Sequence, residues 1–402
     1  MNEKPLRIGV LIDASRAYGR GICRGIANYA EAKENWIILA HERPELNELP
    51  PWLKGSPVDG LIAYIPNRKL YVRIKQLGIP VVDVNGRYRT AQIPTIESDA
   101  ETTIDLALRF LSQFGFPNLA YCGYPSVFFS DQRERAFRRQ AGKYSRRTAV
   151  YISASGRKAG ADIYRFEKGI PADAAHLRTW LRKLRKPVGV LACNDIRGQQ
   201  VINACREENL EVPQDVAVLG IDNDEIICRL CRPTLSSVEP DLENIGSIAA
   251  QFLDTLLAGG TVPLRHLVAP RHIVQRASTD TVVAESPIVV QAARRIRESD
   301  RIEISVEQLC EIVGVSRSTL DKLFVANLGR SVSAEIQRIR LERLENLLQN
   351  TDLPLAEIAG RCGFASATYL CRFFKRMTGA TPQGYRKARL QSGRPATSAA
   401  HP

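Results

Sequence analysis

The sequence predicts two α/β lobes built on parallel sheets, followed by an all-α domain of two helix-turn-helix units. Three observations predict this. Up to residue 276, short apolar runs alternate with stretches of helical period. From Pro287 glycine thins out and helical periodicity dominates. Within that last part, a pattern of helix, glycine turn and helix occurs twice, about 50 residues apart.

Taken in order, residues 6–12 form an apolar run ending at Asp13, and 19–33 carry helical spacing through Ile22, Ile26, Tyr29 and Ala30. Strands are expected at 36–40, 60–65 and 80–84, with a helix at 67–77 between the last two. A second series follows Phe116-Pro117: strands at 119–122, 148–152, 188–192 and 216–221, with helices from 131, at 173–184 and at 195–208. The chain then crosses back near 235–238, forms a helix at 240–258 and ends in a strand pair within 265–276. Strands buried on both faces read as such short apolar runs, which is why parallel sheets are expected. The α/β region spans 1–280: a first lobe of about 5–114 plus 238–260, and a second of about 115–235 plus 263–278. Residues 281–287 are a linker, 288–390 the helical domain, and 391–402 a Ser/Ala/Pro-rich tail expected to be disordered.

The 402 residues carry 56 Lys+Arg against 43 Asp+Glu, a formal charge of +13. Residues 286–402 hold 18 basic and 11 acidic side chains, +7, while the first 285 hold +6. A basic excess fits nucleic acid, an anionic membrane surface or plain solubility, so motifs must decide. No run approaches the roughly 20 apolar residues of a membrane span, and the start lacks a signal-peptide core, so a cytoplasmic protein with no membrane partner is expected. Nine scattered cysteines read as reduced thiols. Cys228 and Cys231 have metal spacing, but no second ligand pair accompanies them, so neither metal nor cofactor is expected. No G-x-S-x-G, P-loop lysine motif or metal set suggests an enzyme.

Open α/β folds bind ligands at the carboxyl ends of their strands. Asp13, Arg16 and Arg20 follow the first strand, Arg133 opens a second-lobe helix, Asn194 and Asp195 follow 188–193, and Asp222 follows 216–221. These side chains supply the paired donors and acceptors that match vicinal hydroxyls. Asp and Asn at such places also cap helices. The run Gly19-Arg-Gly21-Ile-Cys-Arg-Gly25 imitates a dinucleotide fingerprint, but the loop before it is too long for that tight turn.

The stretches 7–27, 58–62, 80–83, 191–195, 218–224 and 234–238 resemble the effector domains of lac-repressor-type regulators, whose fold is like that of periplasmic sugar-binding proteins. The resemblance implies sugar contacts at Arg133, Asn194, Asp195 and Asp222 and in the loop from Asp13 through Arg16 to Tyr18. Members of that group carry their DNA-binding helices ahead of this domain; here the first strand begins at residue 6.

In the helical region, Ser305 can cap a helix at 306–313, Gly314 suits a left-handed turn, and Ser316 can cap a helix at 317–327. A long helix at about 332–349 follows, then helices at 355–361 and 367–378 joined by Cys362-Gly-Phe364 and capped by Ser366, and a short closing helix. The run Ile358-Ala-Gly-Arg-Cys-Gly-Phe364, then 366–375, Gly379-Ala-Thr-Pro382 and Tyr385-Arg386, resembles the arabinose-regulator (AraC) family; residues 309–320 with Phe324 and Gly329 follow the same pattern more loosely, with Cys310 in place of the usual alanine. Small or polar residues at the start of a recognition helix admit it to base edges. Arg317, Ser318, Thr319 and Lys322 meet this in the first unit, and Ala367, Thr368, Tyr369 and Arg372 in the second. Lys375, Arg376, Arg386 and Lys387 suit phosphates, which give affinity without sequence. Two such units would enter successive major grooves about 34 Å apart.

The two parts in this order resemble xylose-operon regulators. The resemblance implies a sugar-responsive transcription regulator: an activator, or alternatively a repressor, of pentose catabolic genes. Its implied partners are a sugar such as D-xylose, double-stranded DNA with paired half-sites, RNA polymerase if it activates, and a second copy in a homodimer.

Overall fold

The computed structural model describes residues 5–33, 35–40, 49–50, 53, 58–88, 90, 92–145, 147–153, 167, 171–280, 286–298, 304–351 and 353–391. The expected linker, apart from its last two residues, and the tail beyond 391 lie outside these. Residues 5–112 with 116–280 form one compact unit, and 113–115 with 286–391 form a second.

The first unit holds two six-stranded sheets. In the first, strands run in the order β11-β5-β4-β3-β1-β2: β1 (Leu6–Leu11), β2 (Trp36–Ala40), β3 (Gly60–Ala63), β4 (Val81–Asp83), β5 (Thr95–Ser98) and β11 (Arg265–Val268). All these pairings are parallel. The second sheet runs β12-β10-β9-β8-β6-β7: β6 (Asn118–Gly123), β7 (Arg147–Ile152), β8 (Val188–Ala192), β9 (Val216–Ile221), β10 (Ser236–Glu239) and β12 (His272–Val274). Only β10–β12 is antiparallel. Central strands β3, β6, β8 and β9 are buried throughout, the signature of sheets covered on both faces.

The expected lobe limits need three corrections. The strands within 265–276 do not pair with each other: β11 extends the first sheet beside β5, and β12 the second beside β10, so the chain crosses once more between them. Strand β10 closes the second sheet, so the return to the first lobe comes after Glu239 rather than at 238. Residues 100–113 were expected in the first lobe and form a helix, Ala100–Gln113, that the sequence reading did not name. It packs on the second, where a Cβ on Gly189 would lie 3.3 Å from Leu111, and where Tyr144 Oη donates to Asp105 at 2.5 Å.

Glycines in the decoy motif have a packing role. Helix α1 (Ala17–Lys33) lies against the helix Leu242–Leu257 at backbone contact. A Cβ on Gly25 would fall 1.9 Å from the Glu243 carbonyl oxygen, and one on Gly246 would fall 2.0 Å from that of Ile22. Only glycine permits this approach.

The second unit has seven helices among the described residues: Pro287–Glu298, Val306–Val313, Arg317–Leu328, Val332–Asn350, Leu355–Arg361, Ala367–Thr378 and Pro382–Gln391. Helix Val332–Asn350 is shared between two cores. Its first half gives Val332, Ile336 and Ile339 to a cluster with Leu309, Leu320 and Phe324. Its second half gives Leu344 and Leu348 to one with Ile358, Leu370, Phe373 and Phe374. A rigid helix with one end in each core fixes the two helix-turn-helix units relative to each other. Ser305 forms a capping box with Gln308, and Gly314 ends its helix with φ +70°.

Candidate functional site

The strand-end loops of both sheets meet at a polar cleft. From the first lobe, Asp13 lies two residues past β1 and accepts the Ser15 N–H at 2.9 Å, and Arg16 and Tyr18 follow. Burial pushes the phenols of Tyr18 and Tyr64 up, that of Tyr64 to about 12. From the second lobe, buried Arg133 in the helix Phe128–Gln140 donates to the Cys193 carbonyl and to Asp222 Oδ1 at 3.4 Å, with Phe129's ring 5.1 Å from its guanidinium carbon. Asp222 has φ +114°, a conformation costly for a side chain with a Cβ, and Asn223 follows at +47°. The strain is concentrated where the Asp222 carboxylate meets Arg133. Burial pushes the Asp222 carboxyl up to about 6, against the opposing pull of Arg133.

Asn194 has both roles open to it in the sequence. Its Oδ1 caps the helix Asp195–Glu207 by accepting the Arg197 N–H at 2.9 Å, while its Nδ2 donates to Glu167 Oε1 at 3.0 Å. Arg197 supports this helix start from below: it is buried, donates to Asp173 at 2.8 Å and lies against the rings of Tyr124 and Tyr151.

Asp195 is placed otherwise than expected. It is 2% exposed, and its carboxylate accepts from Ser237 Oγ at 2.5 Å and from the Asp224 N–H at 2.7 Å. Burial pushes it up to about 8. Each oxygen already accepts one hydrogen bond from the chain, and through Ser237 and the Asp224 N–H these bonds hold the Asp222–Asp224 loop. Asp83, which the strand-end rule also reaches, accepts three backbone N–H bonds from Ile65, Asn85 and Gly86 at 3.2, 2.9 and 3.0 Å.

Glu167 went unread in the sequence. It forms an ion pair with Arg16 across the cleft, with its side chain only 6% exposed. Two further polar contacts join the lobes: Gln132 Nε2 donates to Glu97 Oε2 at 3.3 Å, and Arg20 lies 3.8 Å from Asp224.

In the helical unit, Arg317, Ser318, Thr319 and Lys322 are exposed at the start of Arg317–Leu328, and Thr368, Tyr369 and Arg372 on Ala367–Thr378; Ala367 is half-buried. Ser316 caps the first helix through the Thr319 N–H and also bonds the Thr319 hydroxyl at 2.9 Å. Arg317 pairs with Glu307 at 3.2 Å. Ser366 caps the second helix through the Tyr369 N–H. Lys375 and Arg376 are exposed, and Arg376 lies over the Phe373 ring. Arg386 is half-buried and donates to the Leu353 carbonyl at 2.8 Å, which ties the closing helix down; the side chain of Lys387 lies outside what is described. Among the described residues, no His/Cys/Asp/Glu group has the makings of a metal site, and no helix is long and apolar enough to cross a membrane.

Three family models match consecutive parts of the chain: a XylR N-terminal domain over 7–100, a periplasmic binding protein-like domain over 108–279 and a helix-turn-helix domain over 309–388. The xylose operon regulatory protein of Escherichia coli strain K12 is 31% identical over 397 residues, covering 96% of this chain and 98% of its own. That of Haemophilus influenzae is 30% identical over 397 residues, covering 96% and 99%. A solved structure described as the xylose-binding transcription activator xylR superposes with TM-score 0.62 at 29% identity, covering 96% of this chain and 99% of that one.

Proposed function

Because the chain belongs to the family of xylose operon regulatory proteins, we propose that it binds D-xylose or a closely similar pentose in the interlobe cleft and activates transcription as a homodimer on paired half-sites. It is a sugar-responsive, DNA-binding transcription regulator and not an enzyme. The observation that carries the pentose reading is the pairing of buried Arg133 with half-buried Asp222 at strained backbone, with Arg16 and Asn194 nearby. Fixed donors and acceptors of this kind match adjacent ring hydroxyls. Of the residues first assigned to the sugar, Asp13, Arg16, Arg133, Asn194 and Asp222 keep that role in this proposal, and Asp195 supports them. As a cytoplasmic activator, the protein would contact RNA polymerase at the promoter.

A thermal-shift panel of pentoses and hexoses tests the ligand. Binding stabilises by mass action, about 2.7 kcal/mol at a hundredfold excess over Kd. D-xylose should give the largest shift; equal shifts from all sugars, or none, would sink the pentose assignment. Operator binding with and without sugar tests the sign, since an activator of this kind gains DNA affinity with sugar and a repressor loses it.

The DNA contacts are tested separately. Arg372→Ala should weaken specific binding by about 1–3 kcal/mol and relax the preference at one base pair. Lys375→Ala should weaken specific and random DNA alike and make the salt dependence shallower by about one. An equal loss on random DNA for Arg372→Ala would move that residue to the phosphates.

A further inference from the structure

We infer that Phe114 is a positioning residue for DNA binding, the point at which a bound sugar acts on the DNA-reading helices. The inference rests on the reading that sugar in the cleft changes DNA affinity. In sequence Phe114 stands among the α/β lobes, yet with Gln113 and Gly115 it belongs to the helical unit. Its side chain is buried, and two guanidiniums meet its ring: Cζ of Arg297 lies 5.7 Å from the ring centre and Cζ of Arg338 lies 5.5 Å from it. Both arginines also turn to Glu335, at 3.8 Å for Arg297 and 3.0 Å for Arg338. Glu335 stands on the helix Val332–Asn350, which serves both helix-turn-helix cores. The ring therefore touches the side chains that hold the shared helix. Attraction between a guanidinium and an aromatic ring depends on the cation sitting over the ring face, and it strengthens away from water. A small displacement of the ring alters both contacts at once.

Phe114 directly follows the helix Ala100–Gln113, and that helix is fastened to both lobes. Its start is held by the first sheet: the Asp99 N–H donates to the Val268 carbonyl at the end of β11, and Asp99 Oδ1 accepts the Glu101 and Thr102 N–H groups at 2.9 and 3.3 Å. Its body is held by the second lobe. Tyr144 donates to Asp105, Gln140 Nε2 donates to Glu101 Oε2 at 2.6 Å, and Arg139 pairs with Glu101. Its 14 residues make a rod of about 21 Å. A change in the angle between the lobes must move or strain such a rod, and no flexible stretch separates its end from the ring. Gly115, at φ +80°, turns the chain sharply after Phe114. Phe116 on the other side is as buried as Phe114 and belongs to the α/β unit. A ligand shifts an equilibrium only through contacts that differ between its two states. The ring between Arg297 and Arg338 is such a contact.

The test uses the full-length protein, D-xylose, and a duplex that the wild-type protein selects from a random-sequence pool. D-xylose should change the wild-type affinity for that duplex by about 5-fold to 150-fold, the usual range for coupled sites. Phe114→Leu keeps an apolar side chain but has no ring face for the arginines. In calorimetry without DNA it should bind D-xylose within about threefold of wild type, because Phe114 is no part of the cleft. Its sugar-dependent change in duplex affinity should fall to about twofold or less. By linkage, the duplex should alter D-xylose affinity in the wild type by the same factor as the sugar alters duplex affinity, and hardly at all in the variant. Phe114→Ala removes the contact altogether and should bring the factor to about one; if it does not fold, the leucine variant decides alone. The inference is overturned if Phe114→Leu weakens duplex binding equally with and without sugar, because the ring would then only pack. It is also overturned if D-xylose affinity itself collapses in that variant, because Phe114 would then serve the α/β fold. Failure of the underlying reading looks different: the wild-type protein would bind its duplex equally well with and without each pentose and hexose.

Discussion

Arg133→Ala is expected to abolish sugar binding at concentrations that saturate the wild-type protein, and to cost about 3–5 kcal/mol of sensor stability, the range for breaking a buried ion pair from one side. The side chain is 5% exposed and has three partners from separate parts of the second lobe: the Cys193 carbonyl, the Asp222 carboxylate and the ring of Phe129. Removing it takes a donor from the Cys193 carbonyl and from the half-buried Asp222 carboxylate. It also releases the loop at Asp222, whose left-handed backbone is held against that guanidinium. The chemistry of Asp222 changes as well. Burial already pushes its carboxyl up to about 6 with Arg133 opposing the shift. Without the arginine it would hold a proton near neutral pH and donate where it should accept. Arg133→Lys keeps a charge but not the fork that spans two acceptors, so it should fold better than the alanine variant and still bind sugar poorly. Chemical denaturation and calorimetry on the three proteins decide it. An alanine variant that binds sugar within twofold of wild type would remove Arg133 from the site.

What the sequence made legible, and what it did not, follows from the range of each interaction. The alternation of buried runs and helices is local, and it located most strands of both sheets, but it missed β5 (Thr95–Ser98) and read β10 (Ser236–Glu239) only as a crossing. Strand ends were therefore locatable too, and with them Asp13, Asn194 and Asp222. The cap residues Ser305, Ser316 and Ser366 and the turn at Gly314 are set by neighbours three residues away, and each does what its type and position imply. Which sheet a late strand joins is not local. β11 and β12 lie four residues apart and look alike, yet they close the edges of different sheets. The direction of a side chain at a strand end is equally invisible. Asp195 and Asn194 are adjacent, but one turns inward to Ser237 and the other outward to Glu167. Glu167 itself stands in a stretch with no periodicity, and only its partners give it meaning. Arg386 shows the same limit for charge: its type suggested phosphate, and its bond to the Leu353 carbonyl, 33 residues away, could not be read from the sequence.

The helical unit should have its own point of failure at Glu335, with Glu335→Ala costing about 3–5 kcal/mol. This carboxylate is 1% exposed, on the helix that joins the two helix-turn-helix cores. Arg338 donates to both of its oxygens at 3.0 Å, Arg330 pairs with it, and Arg297 lies 3.8 Å away. These arginines come from the helix Pro287–Glu298, from the turn before Val332–Asn350 and from that helix's own second turn, so one anion ties three pieces of backbone together. Alanine in its place would remove the carboxylate on which Arg330, Arg338 and Arg297 converge. The pH dependence carries the sign. Burial pushes the Glu335 carboxyl up, but the bonds and charges of Arg338 and Arg330 outweigh it and hold it down at about 2, against an ordinary value of 4.5. A carboxylate with a lowered folded value contributes stability that is fully present above about pH 4.5 and is lost as pH falls through about 2, on the order of 3 kcal/mol in all. Glu335→Gln keeps the shape and removes the titration. Denaturation from pH 7 down to pH 2 should therefore show a wild-type advantage over Glu335→Gln that is constant above about pH 5 and shrinks below it. Operator binding at neutral pH should fall in the same order, wild type above Glu335→Gln above Glu335→Ala, because both recognition helices depend on cores that share this helix. A stability difference that stays the same across the whole pH range would mean that packing, and not the carboxylate, holds these helices together.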